Sequence, residues 1–148
     1  MKKEDLQIFI DGATHYFDQM SESPAQIQTP YLEEKSFSIN HEYTGIIGVS
    51  GKKKGCVYFT APESLLKHLL LVMGEYDSSK NALSDLVGEV ANTISGNARQ
   101  YFGSEFMISV PVVVNGKAES IRLPNTLRSY VIPVVWRKYE AALVISLE

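Results

Sequence analysis

Residues 44–60 read TGIIGVSGKKKGCVYFT, and this stretch decides the fold class. Residues that favour extended strands are concentrated at its two ends, 44–49 and 56–60. The polar, glycine-bounded segment 50–55 between them is typical of a hairpin loop. The stretch therefore predicts two strands that are adjacent in sequence and paired antiparallel.

A second hairpin is predicted further along the chain. Asn115-Gly116 is the strongest short hairpin signal, and β-rich runs flank it on both sides. Because consecutive hairpins argue against a parallel, doubly wound sheet, the sheet is predicted to be mostly antiparallel. The β-rich runs of this half of the chain are 107–114, 117–123, 127–135 and 141–147.

Three segments have the spacing of apolar residues that is typical of helices. Thr60 with Glu63 forms a capping box that is predicted to start the second helix, and Gly74 is predicted to close it. Gly103 is a natural stop for the third helix. The chain is therefore predicted to be α+β, with three helices packed on one face of an antiparallel sheet of about six strands. The predicted helices are residues 4–20, 62–73 and 81–102.

Composition excludes several classes of protein. The chain has 148 residues, of which 45% are hydrophobic and 21% charged, so disordered, collagen-like and coiled-coil proteins are excluded. A net charge of −3 gives no general attraction for nucleic acid or for anionic membranes. We therefore expect neither as a partner.

Several features predict a cytoplasmic protein. Cys56 is the one cysteine, so no disulfide can form within the chain. The opening residues MKKEDLQIFIDG interrupt any apolar segment with acids, unlike a signal peptide. Apolar runs such as Leu69–Met73 are far shorter than the ~20 residues that a membrane-spanning helix needs.

The familiar catalytic and metal motifs do not occur. The three histidines are scattered, with no zinc-binding spacing, so no metal site is predicted. The glycines between Gly45 and Gly51 fit neither a phosphate-binding loop nor a nucleophile elbow. Lys52–Lys54 either contact phosphate or are a solvated hairpin tip, and the second interpretation is favoured. Cys56 is interpreted as a small core residue.

The third helix carries an unusual polar stripe, opposite its apolar face. Such a stripe is ordinarily the solvated side of an amphipathic helix. Gly88 and Gly96, however, each cost up to about 1 kcal/mol relative to alanine inside a helix, and Asn92 is a poor residue for mid-helix. Small residues flanking a Glu and an Asn suggest that something approaches this face closely. The stripe consists of Asp85, Glu89, Asn92, Gly96 and Arg99.

Residues 85–98, DLVGEVANTISGNA, resemble the signature helix of the CheX, CheC and FliY phosphatases. These proteins act on the phosphorylated chemotaxis response regulator CheY, and their mark is a Glu-x-x-Asn pair on an exposed helix face. Glu89 and Asn92 match that pair, and Gly88 and Gly96 match its usual setting. One copy of the motif in a small chain is similar to CheX.

The resemblance implies a function and a set of roles. Residues 1–148 would form a single CheC-like phosphatase domain, homodimeric as in CheX, that hydrolyses the aspartyl phosphate of a CheY-like receiver. The catalytic residues would be Glu89 and Asn92. Gly88 and Gly96 would admit the partner's loops, while Asp85 and Arg99 either add rim contacts or are simply solvated. The chain would bind no cofactor, and Mg²⁺ would be held by the receiver.

Two alternatives to the phosphatase stay open at this point. The same fold could serve as a non-catalytic module that docks or sequesters a receiver or a flagellar-switch protein. The chain could also be an unrelated helix-on-sheet domain that binds a small ligand.

Overall fold

The computed structural model describes residues 1–33, 41–116 and 129–148 of the chain. Each predicted helix begins and ends within one residue of the observed bounds. The helices are α1 (Lys3–Ser21), α2 (Glu63–Val72) and α3 (Lys80–Phe102). The strands are β1 (Ala25–Ile27), β2 (Tyr31–Glu33), β3 (Tyr43–Gly51), β4 (Gly55–Ala61), β5 (Phe106–Ile108), β6 (Val112–Asn115), β7 (Ser129–Trp136) and β8 (Tyr139–Leu147).

The strands form one open, antiparallel sheet in the order β1-β7-β8-β4-β3-β5. Strand β2 also pairs with β7, and β6 also pairs with β3. The predicted α+β class is confirmed, and the sheet has eight strands rather than about six. The difference comes from β1 and β2, which have three residues each, and from a break in the predicted strand 107–114. The predicted strand 117–123 lies outside the described residues.

The helices cover one face of the sheet, and the main core lies between them. Alternate residues of the central strands, such as Ile47 on β3 and Phe59 on β4, point into this core and are fully buried. Helix α3 packs on β3 and β4, and α1 packs beside it on α3 and β1. The strand residues that alternate with these form a smaller apolar cluster of Tyr58, Val131, Ala142 and Val144. Cys56 packs against this cluster.

The C-terminal end of α1 is tied to the sheet by a buried indole. Trp136 of β7 is fully buried and donates a hydrogen bond from Nε1 to Ser21 Oγ, at 3.0 Å. Its ring also packs against Phe17, with 6.0 Å between the ring centroids. The contact fixes where α1 lies relative to the sheet, and through it the side of α3 that α1 covers.

The predicted capping box of α2 is wrong. Thr60 is still part of β4, and its hydroxyl contacts Thr44 Oγ1 at 2.9 Å and accepts a hydrogen bond from the His41 amide. The free amide of Glu63 instead donates to Glu42 Oε2, at 2.9 Å. A carboxylate at the start of β3 therefore satisfies the helix terminus, which is also the favourable end for a negative charge.

A bulge separates β5 from β6 on the edge of the sheet. Ser109 lies in the break, where its amide donates to the Gly48 carbonyl at 2.9 Å. Its hydroxyl accepts a hydrogen bond from the Gly48 amide at 2.8 Å, in the place of a ladder carbonyl. The bulge therefore keeps the edge attached to β3 while it redirects Pro111 and Val113 towards α3.

Candidate functional site

Helix α3 is the longest helix, and both of its ends are defined by local interactions. Ser79 is the N-cap, and its hydroxyl accepts a hydrogen bond from the Ala82 amide at 3.3 Å. The helix ends at Gly103, which has a φ of +97° that favours glycine. Every Leu, Val, Ile and Ala from Leu83 to Ala98 is buried, as are Gly88 and Ser95, whereas Tyr101 is exposed.

The polar stripe lies on the outer face of α3, as predicted. Asp85, Glu89, Asn92 and Arg99 are exposed, and Gly96 is partly exposed. Glu89 and Asn92 are three positions apart, so their side chains are neighbours on one face of the helix. The arrangement presents a carboxylate and a carboxamide together to a partner surface.

Gly88 does not belong to the exposed stripe. It is buried, and a Cβ atom at this position would lie 3.2 Å from Val113 Cγ2 and 3.3 Å from Pro111 Cβ. The expectation that Gly88 admits the partner's loops is therefore corrected. What approaches Gly88 closely is the edge of this chain's own sheet, redirected by the bulge at Ser109.

A second glycine, which the sequence analysis did not single out for packing, completes this crossing. A Cβ atom on Gly45 of β3 would lie 2.6 Å from the Val87 carbonyl oxygen and 3.0 Å from Gly88 Cα. Backbone therefore touches backbone where α3 crosses β3. Gly45 and Gly88 therefore determine how closely the turn of α3 that carries Glu89 approaches the sheet.

Gly96 is in the opposite situation. A Cβ atom there would meet no atom within 4 Å, so no packing in the described part of the chain requires a glycine. The position opens into a groove of about 750 Å³ between α3 and β5. The groove is lined by Gly96, Arg99, Gln100, Gly103, Ser104, Met107 and Ile108.

Arg99 has a clear structural role at the end of the stripe. Its Nε donates a hydrogen bond to the Phe106 carbonyl at 3.1 Å, which ties the last turn of α3 to β5. Its positive charge also lies in the last turn, where it is favourable for the helix dipole. This bond occupies one guanidinium nitrogen and leaves the exposed remainder of the group beside the groove.

Tyr16 of α1 is the titratable group next to the stripe that the sequence analysis missed. Its ring is buried, and its hydroxyl has no hydrogen-bond partner within the described part of the chain. Burial raises the pKa of Tyr16, and the negative charge of Glu89 raises it further. The hydroxyl therefore keeps its proton and lies within electrostatic reach of the motif glutamate.

The side chains that the sequence analysis set aside have structural contacts. Lys53 pairs with Asp5 at 3.7 Å and lies over the Phe102 ring, 5.3 Å from its centroid. Burial raises the pKa of the Cys56 thiol to about 11, which keeps it protonated at neutral pH and disfavours a nucleophilic role. His68 Nδ1 lies 3.1 Å from the Tyr139 hydroxyl, against the Trp136 ring.

Residues 1–33, 41–116 and 129–148 contain neither a metal-binding cluster nor a membrane-spanning helix. No group of three or more His, Cys, Asp or Glu residues in these ranges is arranged to hold a metal ion. No helix in the same ranges is long and apolar enough to cross a membrane.

An open antiparallel sheet with three helices on one face, and a Glu-x-x-Asn pair exposed on the longest helix, define a chemotaxis protein of the CheC-like class. The sequence model of the family described as chemotaxis phosphatase CheX matches residues 43–135, and the chain belongs to this CheX family. The match includes β3, β4, α2 and all of α3. Among curated proteins, none matches this chain significantly.

Solved structures share the fold over nearly the whole chain. A CheC-like superfamily protein from Shewanella sp. PV-4 is 26% identical with a TM-score of 0.87, covering 100% of this chain and 99% of that one. CheX from Vibrio vulnificus is 25% identical with a TM-score of 0.84, covering 98% and 99%. CheX from Borrelia burgdorferi, solved in complex with CheY, BeF3 and Mg, has the same fold at 18% identity and a TM-score of 0.75, covering 97% of each chain.

Proposed function

We propose that this protein is a phosphatase that hydrolyses the aspartyl phosphate of a CheY-like receiver domain. The observation that carries the proposal is the exposed pair of Glu89 and Asn92, one helical turn apart on the outer face of α3. Membership of the CheX family supports it. So does the fold shared with a CheX that was solved in complex with CheY.

The chemistry of an acyl phosphate suits such a small set of residues. Phosphoryl transfer needs little covalent help, because positioning and charge stabilisation supply most of the catalysis. What the receiver lacks is a water molecule held in line with the phosphorus–oxygen bond that breaks. A partner that inserts one side chain beside the phosphoryl group can supply that water.

Asn92 is suited to hold this water. A carboxamide both donates and accepts hydrogen bonds, so it can orient a water molecule towards phosphorus. It is also neutral, and it places no negative charge beside the phosphoryl oxygens. A glutamine does comparable work in GTPases. In the proposed mechanism Asn92 touches the attacking water and is the catalytic residue.

Glu89 would set the register of the complex. A carboxylate would be repelled by the phosphoryl group, so it needs a cation on the partner. The resemblance to CheX implies that this cation is the active-site lysine of the receiver. Because Glu89 and Asn92 share one helix face, pairing of Glu89 with the lysine would place Asn92 over the phosphorylated aspartate.

The surface around the pair fits a protein partner. The groove beside Gly96 is open, and in the proposed complex it would receive a loop of the receiver. Asp85 and the exposed part of Arg99 lie at the two ends of the stripe, where they would make rim contacts. The divalent metal would remain on the acidic cluster of the receiver, and this chain would bind no cofactor.

The proposal extends to assembly and location. By its similarity to CheX, the protein would be a homodimer, with residues 1–148 forming a single phosphatase domain in the cytoplasm beside its substrate. Sedimentation velocity at micromolar concentration measures the assembly directly. A monomer over the whole accessible concentration range would contradict the dimer and leave the proposed reaction unaffected.

The proposed reaction is tested on receivers from the source genome, phosphorylated with a small-molecule phosphodonor. The wild-type protein should accelerate dephosphorylation of one of them, and Asn92→Ala should lose roughly 10²–10³-fold of that acceleration, the range for one positioned transition-state donor. Glu89→Ala should weaken binding of the receiver. Asn81→Ala, an exposed asparagine in the first turn of the same helix, is the matched control and should leave the rate unchanged.

Three results would overturn parts of the proposal. A folded wild-type protein that binds a receiver without shortening the lifetime of its phosphate would be a non-catalytic docking module. If neither binding nor acceleration occurred on any receiver, the partner class would be wrong. Acceleration that persists in Asn92→Ala would mean that other residues carry the reaction.

A further inference from the structure

Tyr16 carries an unusual polar atom beside the candidate active site. The residue is 2% exposed, and its hydroxyl has no hydrogen-bond partner among the described residues. A buried, unsatisfied hydroxyl is destabilising, and phenylalanine would fill the same space without it. Nothing in the packing of α1 on α3 explains why this position carries a tyrosine.

The pairing of the two helices brings Tyr16 to the turn of α3 that carries Glu89. Helices α1 and α3 run antiparallel, since Phe9 packs against Phe102, with 6.2 Å between ring centroids, while Gly12 meets Ile94 further along. One turn beyond Gly12 on α1 is Tyr16. One turn back from Ile94 on α3 is the turn that carries Glu89. The electrostatic influence of Glu89 on the Tyr16 hydroxyl agrees with this register.

The carboxylate of Glu89 receives its hydrogen bonds from water. In the described part of the chain, no ion pair or hydrogen bond engages its carboxylate, and the side chain is exposed. A partner that docks on α3 would remove this water. A desolvated carboxylate then needs a hydrogen bond on each oxygen, and the cation of the partner can serve one of them.

We propose that the Tyr16 hydroxyl is a positioning group for Glu89, which donates a hydrogen bond to one carboxylate oxygen when a partner covers α3. The other oxygen then faces the partner's cation in a fixed orientation. This inference rests on the proposed function, because it assigns Glu89 a docking role. Tyr16 touches neither the substrate nor the water, so its effect falls on docking and not on the chemical step.

The chain contains a matched control for Tyr16. Ser95 on α3 is the other buried side chain in the described residues whose hydroxyl has no hydrogen-bond partner. It is one of the buried residues of α3. Tyr16→Phe and Ser95→Ala each delete one such hydroxyl, and both variants should unfold at the same temperature as the wild type or above it.

The experiment measures KM and kcat for the phosphorylated receiver with Tyr16→Phe, Ser95→Ala, Glu89→Ala and the double variant of Tyr16 and Glu89. Tyr16→Phe should raise KM about ten- to a hundredfold, in line with loss of one hydrogen bond to a charged group, and leave kcat unchanged. Ser95→Ala should change neither. In the Glu89→Ala background, Tyr16→Phe should have no further effect, because the acceptor is gone.

Each outcome decides between the inference and the function on which it rests. An active wild type whose KM is unchanged by Tyr16→Phe, or is raised equally in the Glu89→Ala background, overturns the positioning role alone. A fall in thermal stability that accounts for the change in KM also overturns it. A wild type that acts on no receiver overturns the proposed function and the inference together.

Discussion

The two glycines of α3 lie in one helix, yet they are surrounded very differently. At Gly88 the helix is closed in by Pro111 and Val113 on one side and by Gly45 beneath it. At Gly96 the space where a side chain would stand is empty and continues into the groove beside β5. One glycine is enclosed by the fold, and the other is not.

The contrast shows two different reasons why a helix can contain glycine, a residue that is unfavourable there. Each glycine costs up to about 1 kcal/mol relative to alanine by helix propensity. At Gly88 the close packing of helix on sheet offsets that cost. At Gly96 nothing in the described part of the chain does so, and the proposed docking of a receiver supplies a reason. Empty space beside a helical glycine is therefore a better indication of a docking partner than the presence of the glycine alone.

The largest effect is expected at the closed crossing. Gly45→Ala places a Cβ 2.6 Å from the Val87 carbonyl oxygen, and backbone cannot move aside as a flexible side chain does. We expect a loss of about 3 kcal/mol in the free energy of unfolding, measured by urea denaturation. The Cβ of Gly48→Ala, on the same strand, would meet Ser109, with Oγ at 3.4 Å and Cβ at 3.7 Å, and this variant should lose much less. Equal losses would mean that β3 tolerates no side chain at either place.

A smaller effect is expected for Gly88→Ala. Its Cβ would press on Val113 and Pro111, and the gain in helix propensity would offset part of the strain. We expect a net loss of about 1 kcal/mol, which Val113→Ala should relieve when the two are combined in a double-mutant cycle. A variant that is more stable than the wild type would show that the edge of the sheet yields freely, and the two glycines would no longer differ.

The smallest change in stability is expected at the open position, and it should have the opposite sign. Gly96→Ala should stabilise the protein by up to about 1 kcal/mol, because its Cβ meets no atom. The same change should weaken binding of the phosphorylated receiver, as measured by isothermal titration calorimetry. If binding is unchanged, the groove beside Gly96 is not part of the docking surface.

Local patterns predicted the parts of the fold that local interactions determine. The periodicity of α3 and its stop at Gly103 are properties of consecutive residues, so its bounds were predicted within one residue. The same holds for the hairpin of β3 and β4. The exposed stripe with Glu89 and Asn92 also follows from helical spacing alone.

Contacts between distant segments account for the errors. Thr60 and Glu63 have the spacing of a capping box, but Thr60 remains in the sheet and Glu42 reaches the helix instead. Gly88 was interpreted as a docking residue because the sequence does not reveal that a bulge brings Pro111 against it. Tyr16 was missed for the same reason, since only the pairing of α1 with α3 brings it to the turn that carries Glu89.

The order of the strands has a consequence for synthesis on the ribosome. Strand β8, residues Tyr139–Leu147, lies between β4 and β7 and pairs with both. Until these residues emerge, β4 has an open edge, and β7 with its partners β1 and β2 has no described pairing with the other strands. The nascent chain therefore holds unpaired, apolar strands until almost all of residues 1–147 are made. During that interval its exposed strand edges can pair with other chains, so the chain is prone to aggregation.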